Sequence, residues 1–186
     1  DSQAQVYNLM FEQLNAAIDV LTQNRTADFS DKADRVYGGN VTKWIKYANS
    51  LKLRMAMRIS KVAPAKAQQM AEEAVNHEVG TMTSNDDNAE LTLVSTNPFE
   101  IIMYEYNGGD SRVSADITTY MNGYNDPRRE KMFTKTTFGG RVDNGYFGSR
   151  RGRGSPGGSV AHAYSNYIAA TDSKLMWMNA AEVAFL

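Results

Sequence analysis

Apolar positions in the first 80 residues recur at steps of three and four, most clearly between Gly38 and Ser60. There Trp44, Ala48, Leu51, Met55 and Ile59 line one stripe of a helix. Ile45, Leu53, Ala56 and Met57 widen that stripe beyond what one neighbour covers, which predicts a central helix packed on two sides. Asn40 follows the Gly38-Gly39 turn and has a side-chain oxygen suited to cap the first turn. Residues 2–23 predict an amphipathic helix, with Val6, Leu9, Met10, Leu14, Ala17, Ile18 and Leu21 on one side and Glu12, Asn15 and Asp19 opposite. Residues 24–40 are polar and turn-rich. Pro64 ends the central helix and opens the next, over about 64–77, with Ala67, Met70, Ala71, Ala74 and Val75 inward. Three helices with short joints point to tetratricopeptide-like stacking, although no clean repeat of about 34 residues is visible.

Beyond Gly80 the periodicity breaks. Residues 81–97 are polar around a β-capable run, Leu91 to Val94, and residues 98–106 are apolar and aromatic. A helix is expected over 113–124, with Val113, Ile117, Tyr120 and Met121 on one side. In the turn that follows, Asp126 suits an Asx bond, Pro127 fixes φ, and Arg128 suits a carboxylate or backbone carbonyls. Glycine crowds residues 138–160, where no regular helix forms. The run from Leu175 to Leu186 reads as a further apolar helix. The expected fold is mainly α: a helical scaffold over 1–80, a loop-rich lobe with one helix over 81–170, and the start of a further scaffold helix over 171–186, with little β structure.

Composition narrows the chemistry. A hydrophobic share of 42% over 186 residues supports a packed core. The absence of cysteine excludes disulfides, thiolate catalysis and Cys-based zinc sites. Net charge is −1, so no overall field draws the chain to nucleic acid. The charges alternate in blocks: residues 41–62 carry six basic and no acidic side chains, and residues 63–126 carry two basic and eleven acidic. Such blocks are expected to lie side by side in the fold.

No catalytic or cofactor pattern stands up. Gly152 to Gly157 fits a GxGxxG string but lacks the flanking strand and helix of a dinucleotide loop. His77 and His162 are isolated, so a histidine metal centre is not expected. Asn85 to Asn88 with Glu90 departs from EF-hand spacing and reads as an acidic turn. Glu72-Glu73 and Glu100/Glu105 are carboxylate pairs whose spacing alone does not make a glycosidase. Aromatics remain. Tyr104, Tyr106, Tyr124, Tyr146, Phe147, Tyr164, Tyr167 and Trp177 concentrate in the irregular half, where exposed rings stack on sugar faces and polar neighbours bind hydroxyls. The favoured cleft candidates are Tyr104, Tyr106 and Tyr146, flanked by Asn107, Asp110, Arg112 and Asn144.

Four stretches resemble one family. Tyr37-Gly38-Gly39-Asn40, then Lys43-Trp44-Ile45-Lys46, then Ala48 to Arg54 and Arg58-Ile59, resemble the signature helix of the SusD/RagB family in its SusD-like branch. Met121-Asn122-Gly123, Asp126-Pro127-Arg128 and Met132-Phe133 resemble the family's helix, turn and aromatic strand. Tyr146-Phe147-Gly148 resembles its glycine-aromatic run, and Leu175-Met176, Ala181-Glu182 and Phe185-Leu186 its late helix. The resemblance covers nearly all of this chain but only the middle of the family's length, so the natural chain is expected to continue at both ends. It implies a lipid-anchored outer-membrane protein that binds glycans or other nutrients without catalysis or cofactor. The implied partner is a SusC-like TonB-dependent transporter. Trp44, Asn49, Arg54, Asp126 and Arg128 then take structural roles. The runner-up is a helical-repeat interaction module with no small-molecule site; a glycan-cleaving enzyme is disfavoured.

Overall fold

A computed structural model describes residues 2–27, 29–91, 112–136, 145–152, 164–168 and 174–186. The chain divides into two compact units, one of residues 1–92 with 174–186 and one of residues 93–173. The architecture is mainly α, with a single two-stranded sheet among the described residues.

The first unit is built on α1 (Gln3–Gln23), α2 (Val41–Ile59) and α3 (Pro64–Val75). Each helix starts where local chemistry allows. Ser2 and Gln5 form a capping box on α1, Asn40 accepts the Lys43 N–H at 3.0 Å on α2, and Pro64 opens α3, where its missing N–H costs nothing. The wide apolar girth of α2 is used on two sides, as its spacing predicted, except that Met57, expected within it, is exposed. Met55, Ala56 and Ile59 pack with Phe11 of α1 and with Ala67 and Met70 of α3. Leu53 packs instead with Ala74, Met82 and Met178.

α1 differs from expectation. Its buried residues are Phe11 and Ile18, with Tyr7 and Leu14 half-buried, while Val6, Leu9 and Met10 remain exposed. The sequence carries a broader apolar arc than α2 covers, and only the 7-11-14-18 track faces the core. Val75 of α3 is likewise exposed.

The segment after α3 is tied to α2 by polar side chains. Asn49 Nδ2 donates to the Gly80 carbonyl at 2.9 Å, Ser50 Oγ accepts the Met82 N–H at 2.9 Å, and Lys46 Nζ meets Asp87 at 2.9 Å. Asp87 closes a short 3₁₀ turn, Asn85–Asp87, and leads into β1 (Ala89–Leu91).

β1 pairs antiparallel with β2 (Leu175–Met178), with Ala89 opposite Met178 and Leu91 opposite Leu175. This corrects the expectation of a helix from Leu175. Four consecutive apolar residues fit either period; Met178 is buried against the core and the free edge of β1 supplies partners, so the strand wins. Helix resumes at α6 (Ala180–Ala184), after α4 and α5 of the second unit, where Asn179 Oδ1 accepts the Glu182 N–H at 2.7 Å. The expected β run at Leu91 to Val94 is realised as far as Leu91, the remainder lying outside the described residues.

The alternating charge blocks do meet. Lys52 pairs with Glu73 at 2.6 Å and Arg54 with Glu182 at 2.6 Å, beside the Lys46–Asp87 pair.

In the second unit, α4 (Ala115–Gly123) is capped by Ser114, whose hydroxyl accepts the Asp116 N–H, and is followed by the short α5 (Arg129–Met132). The buried face of α4 is Thr118 and Met121, whereas Ile117 and Tyr120, expected inward, are exposed. Val113 lies before the helix and is buried with Met121 and Phe133. Among the described residues, backbone pairing accompanies this core. Ser149 N–H donates to Val113 O at 2.8 Å, Val113 N–H to Ser165 O at 3.1 Å, and Ser165 N–H to Phe147 O at 3.0 Å. Thr134 and Asn166 bridge in the same way, through Thr134 N–H to Asn166 O at 2.8 Å.

Candidate functional site

The family-like residues at the start of α2 turn out to organise one buried carboxylate. Asp34 is 5% exposed. Its Oδ1 accepts the N–H groups of Val36 at 3.0 Å and Tyr37 at 3.2 Å. Its Oδ2 accepts the Gly39 N–H and the Trp44 Nε1–H, each at 2.8 Å. Burial pushes the Asp34 carboxyl up, but these four donors outweigh burial and hold it below its ordinary value. Gly39 is required twice over: its φ is +87°, and a Cβ there would overlap the Phe29 carbonyl oxygen. Tyr37 and Tyr47 meet the Trp44 ring edge-on at 5.1 and 5.6 Å. Trp44 is therefore a half-buried clasp over Asp34. Asn49 and Arg54, through Gly80 and Glu182, tie α2 to later segments.

Remaining polar candidates in this unit are also used as ties. His77 Nε2 lies 3.3 Å from Thr22 Oγ1, and His77 Nδ1 accepts the Val79 N–H. Thr22 Oγ1 already donates to the Ile18 carbonyl, which makes it the acceptor for His77 and assigns the ring proton to Nε2. Glu73 is held below its ordinary value chiefly by Lys52, and Asp87 likewise by Thr83 and Lys46 donors that overcome burial. Such carboxyls are poor general acids, which need raised values. No group of three metal-ligating side chains occurs among the described residues, and no described helix is long and apolar enough to cross a membrane.

The second unit carries an open cleft of about 670 Å³. α4 contributes Ala115, Thr118, Thr119 and Asn122, the next strand-like segment contributes Phe147, Gly148 and Arg150, and Tyr164 completes it. Gly148 brings the two sides together. Its N–H donates to Thr118 Oγ1 at 2.9 Å, and any Cβ would run into the Ser114 and Val113 backbone. That close approach explains the Phe147-Gly148 pair and leaves the Phe147 ring 52% exposed. Asn122 is held on both ends: Nδ2 donates to the Tyr146 carbonyl at 2.6 Å, and Arg129 donates to Oδ1 at 3.0 Å. The rim thus offers two aromatic rings, a hydroxyl, an amide and a guanidinium, a set suited to stacking and hydrogen bonding.

Of the candidates drawn from sequence, Tyr104, Tyr106, Asn107, Asp110 and Asn144 lie outside the described residues. Arg112 is half-buried beside Val113. Tyr146 packs on the Val113, Met121 and Phe133 core, with the Arg129 guanidinium 5.6 Å from its ring centroid. The aromatic list did include the cleft residues Phe147 and Tyr164. Thr118, Thr119 and Asn122 were not named as cleft residues, because nothing local marks one face of a nine-residue helix as a wall, and Arg150 was not named either. Asp126 accepts both the Arg128 N–H and its guanidinium, and the Arg128 side chain is the main reason that its carboxyl is held down to about 2. Asp126 and Arg128 therefore form a turn lock, and Tyr124 projects from the surface, 81% exposed.

The sequence profile of the SusD-like family, described as Susd and RagB outer membrane lipoprotein, matches residues 1–186. A SusD homolog from Bacteroides uniformis is 45% identical with a TM-score of 0.88, the match covering 100% of this chain and 38% of that one. A SusD homolog from Bacteroides thetaiotaomicron is 40% identical with a TM-score of 0.87, over 100% of this chain and 39% of that one. A chitin-binding SusD homolog from Flavobacterium johnsoniae is 37% identical with a TM-score of 0.87, again over 100% and 39%. The chain spans less than two thirds of the length of each of these relatives. No curated protein matches it.

Proposed function

The chain belongs to the SusD-like family of outer-membrane lipoproteins, and from that premise we propose that the full-length protein holds glycans or other nutrients at the cell surface, without altering them, for a SusC-like TonB-dependent transporter. The observation that carries this reading is the match over the whole chain to a chitin-binding homolog. The aromatic, hydrogen-bonding cleft on the second unit supports it, since its groups suit a sugar's flat face and its hydroxyls. In this proposal Phe147 and Tyr164 stack on the ligand. Tyr104, Tyr106 and Tyr146, with Asn107, Asp110, Arg112 and Asn144, are proposed as further contacts, residues 81–170 forming the binding lobe. The helical part over 1–80, with the return at 171–186, is the scaffold. Lipid anchoring and the transporter partner are proposed on the strength of the family.

Binding on a glycan array followed by calorimetry tests the site. Phe147→Ala with Tyr164→Ala, or Tyr104→Ala with Tyr106→Ala, is expected to weaken binding roughly threefold to tenfold per ring lost, for about 0.5–1.5 kcal/mol of aromatic contact each. Unchanged affinity in both double variants would remove the site. Affinity capture from solubilised outer membranes is expected to recover a large β-barrel transporter. Recovery of soluble proteins alone would favour a helical interaction module.

A further inference from the structure

A neutral sugar can accept the N–H groups of Arg150 through its hydroxyls but leaves the arginine's charge unmatched. Other described arginines of the second unit are committed: Arg128 to Asp126, Arg129 to Asn122 and Asn125, Arg151 to Asp116 at 2.7 Å, and Arg112 is likewise engaged. Arg150 alone among them is exposed with no partner in the described residues, and it lines the cleft. Among the described residues, no acidic side chain lines the cleft beside it. A guanidinium is planar, always charged, and presents paired N–H donors at the spacing of a carboxylate. Around it stand the apolar faces of Phe147 and Tyr164 and the hydroxyl of Thr119.

We infer that this cleft takes a saccharide bearing a carboxylate, of the uronic-acid class, with its charge set against Arg150 and its ring against Phe147 or Tyr164. The inference rests on the cleft being the glycan site. Cleft and charge together select the ligand: the aromatic rings accept any sugar face, while the unmatched cation favours the acidic member.

Titration of the full-length protein with an oligogalacturonate and with its methyl ester separates charge from ring shape. The acid is expected to bind about tenfold more tightly at low ionic strength, as a charge-assisted pair should. The ratio should shrink as salt screens the pair. Arg150→Gln should bring it close to one, and Arg150→Lys should leave an intermediate value, since an ammonium lacks the planar fork. Equal binding of acid and ester, or a preference that survives Arg150→Gln, overturns the inference and leaves the glycan reading standing. A panel of uronate-containing and neutral oligosaccharides covers the case in which neither galacturonate binds. Neutral ligands alone overturn the acidic preference. No ligand at all overturns the glycan reading beneath it, and glycan binding indifferent to Phe147→Ala with Tyr164→Ala overturns this cleft as its site.

Discussion

The two units hold their shape by different means. In the first, long helices bury apolar stripes, and polar side chains of α2 reach out to fasten the loops around it. Its buried carboxylate is saturated by two backbone amides on one oxygen and by an amide and an indole on the other. In the second, the described core residues Val113, Met121 and Phe133 sit under segments that share backbone hydrogen bonds, and each described charged pair has a basic side chain facing solvent. Deep apolar burial specifies one rigid arrangement. Backbone pairing with a small core leaves side chains at the surface, where a ligand meets them. The proposed roles, scaffold for the first unit and recognition for the second, accord with that contrast.

The largest expected effect breaks the first unit. Asp34→Ala leaves the Trp44 indole N–H and three backbone N–H groups without their acceptor, at about 1–3 kcal/mol for each buried donor that finds no water. A loss of about 4 kcal/mol in chemical denaturation is expected, with a shift in Trp44 emission. A loss below about 1 kcal/mol would show that the clasp is dispensable. Gly39→Ala and Gly148→Ala come next, each placing a Cβ into backbone. About 2–3 kcal/mol is expected for the first, which also forces a left-handed φ on alanine. Gly148→Ala should instead raise amide exchange in residues 113–118 and weaken ligand binding, with α1 to α3 unaffected. Loss of protection throughout the molecule would contradict the division into two units.

Acid should sharpen the comparison. Asp34, Glu73 and Asp87 have folded-state values below their ordinary ones. The stability that they contribute is present above the unfolded values of 3.8 for Asp and 4.5 for Glu, and is lost as pH falls through the lower folded values. The first unit should therefore loosen below about pH 4, read by Trp44 fluorescence and amide exchange. Asp116 and Asp126 are lowered in the same direction by Ser114 and Arg128 respectively, but Asp116 is exposed and the half-buried Asp126 pairs with an exposed guanidinium, so solvent screens the gain. A second unit that loosens first on acidification would reverse the assignment. The smallest effect is expected from Arg151→Ala, which removes an exposed pair with Asp116 and should cost less than about 1 kcal/mol.

Much of the first unit was legible in the chain. The breadth of the α2 stripe announced two-sided packing, Asn40 announced its start, and Pro64 announced the break to α3. These are local facts: a cap acts within one turn, and a helical period shows within a dozen residues. Less was legible in the cleft. Phe147 stood in an aromatic, glycine-rich run, but which face of α4 it would meet depended on Gly148 approaching Ser114. Sequence offered Ile117 and Tyr120 as the inward face of α4, and the fold buries Thr118 instead because its hydroxyl bonds the Gly148 amide.

By itself the sequence determined the starts of α1, α2 and α3, the mainly α class, and the juxtaposition of opposite charge blocks, since these follow from caps, periods and neutralisation along one chain. Tertiary structure alone decided that Leu175–Met178 would be a strand, that Asp34 would be the buried hub of the Tyr37-Gly38-Gly39-Asn40 motif, and that Arg150 would stand at a cleft with no partner among the described residues. Each of these outcomes depends on which distant segment arrives beside the residue, and pairing edges, donors and counter-charges are supplied by such segments. Local composition carries no record of them.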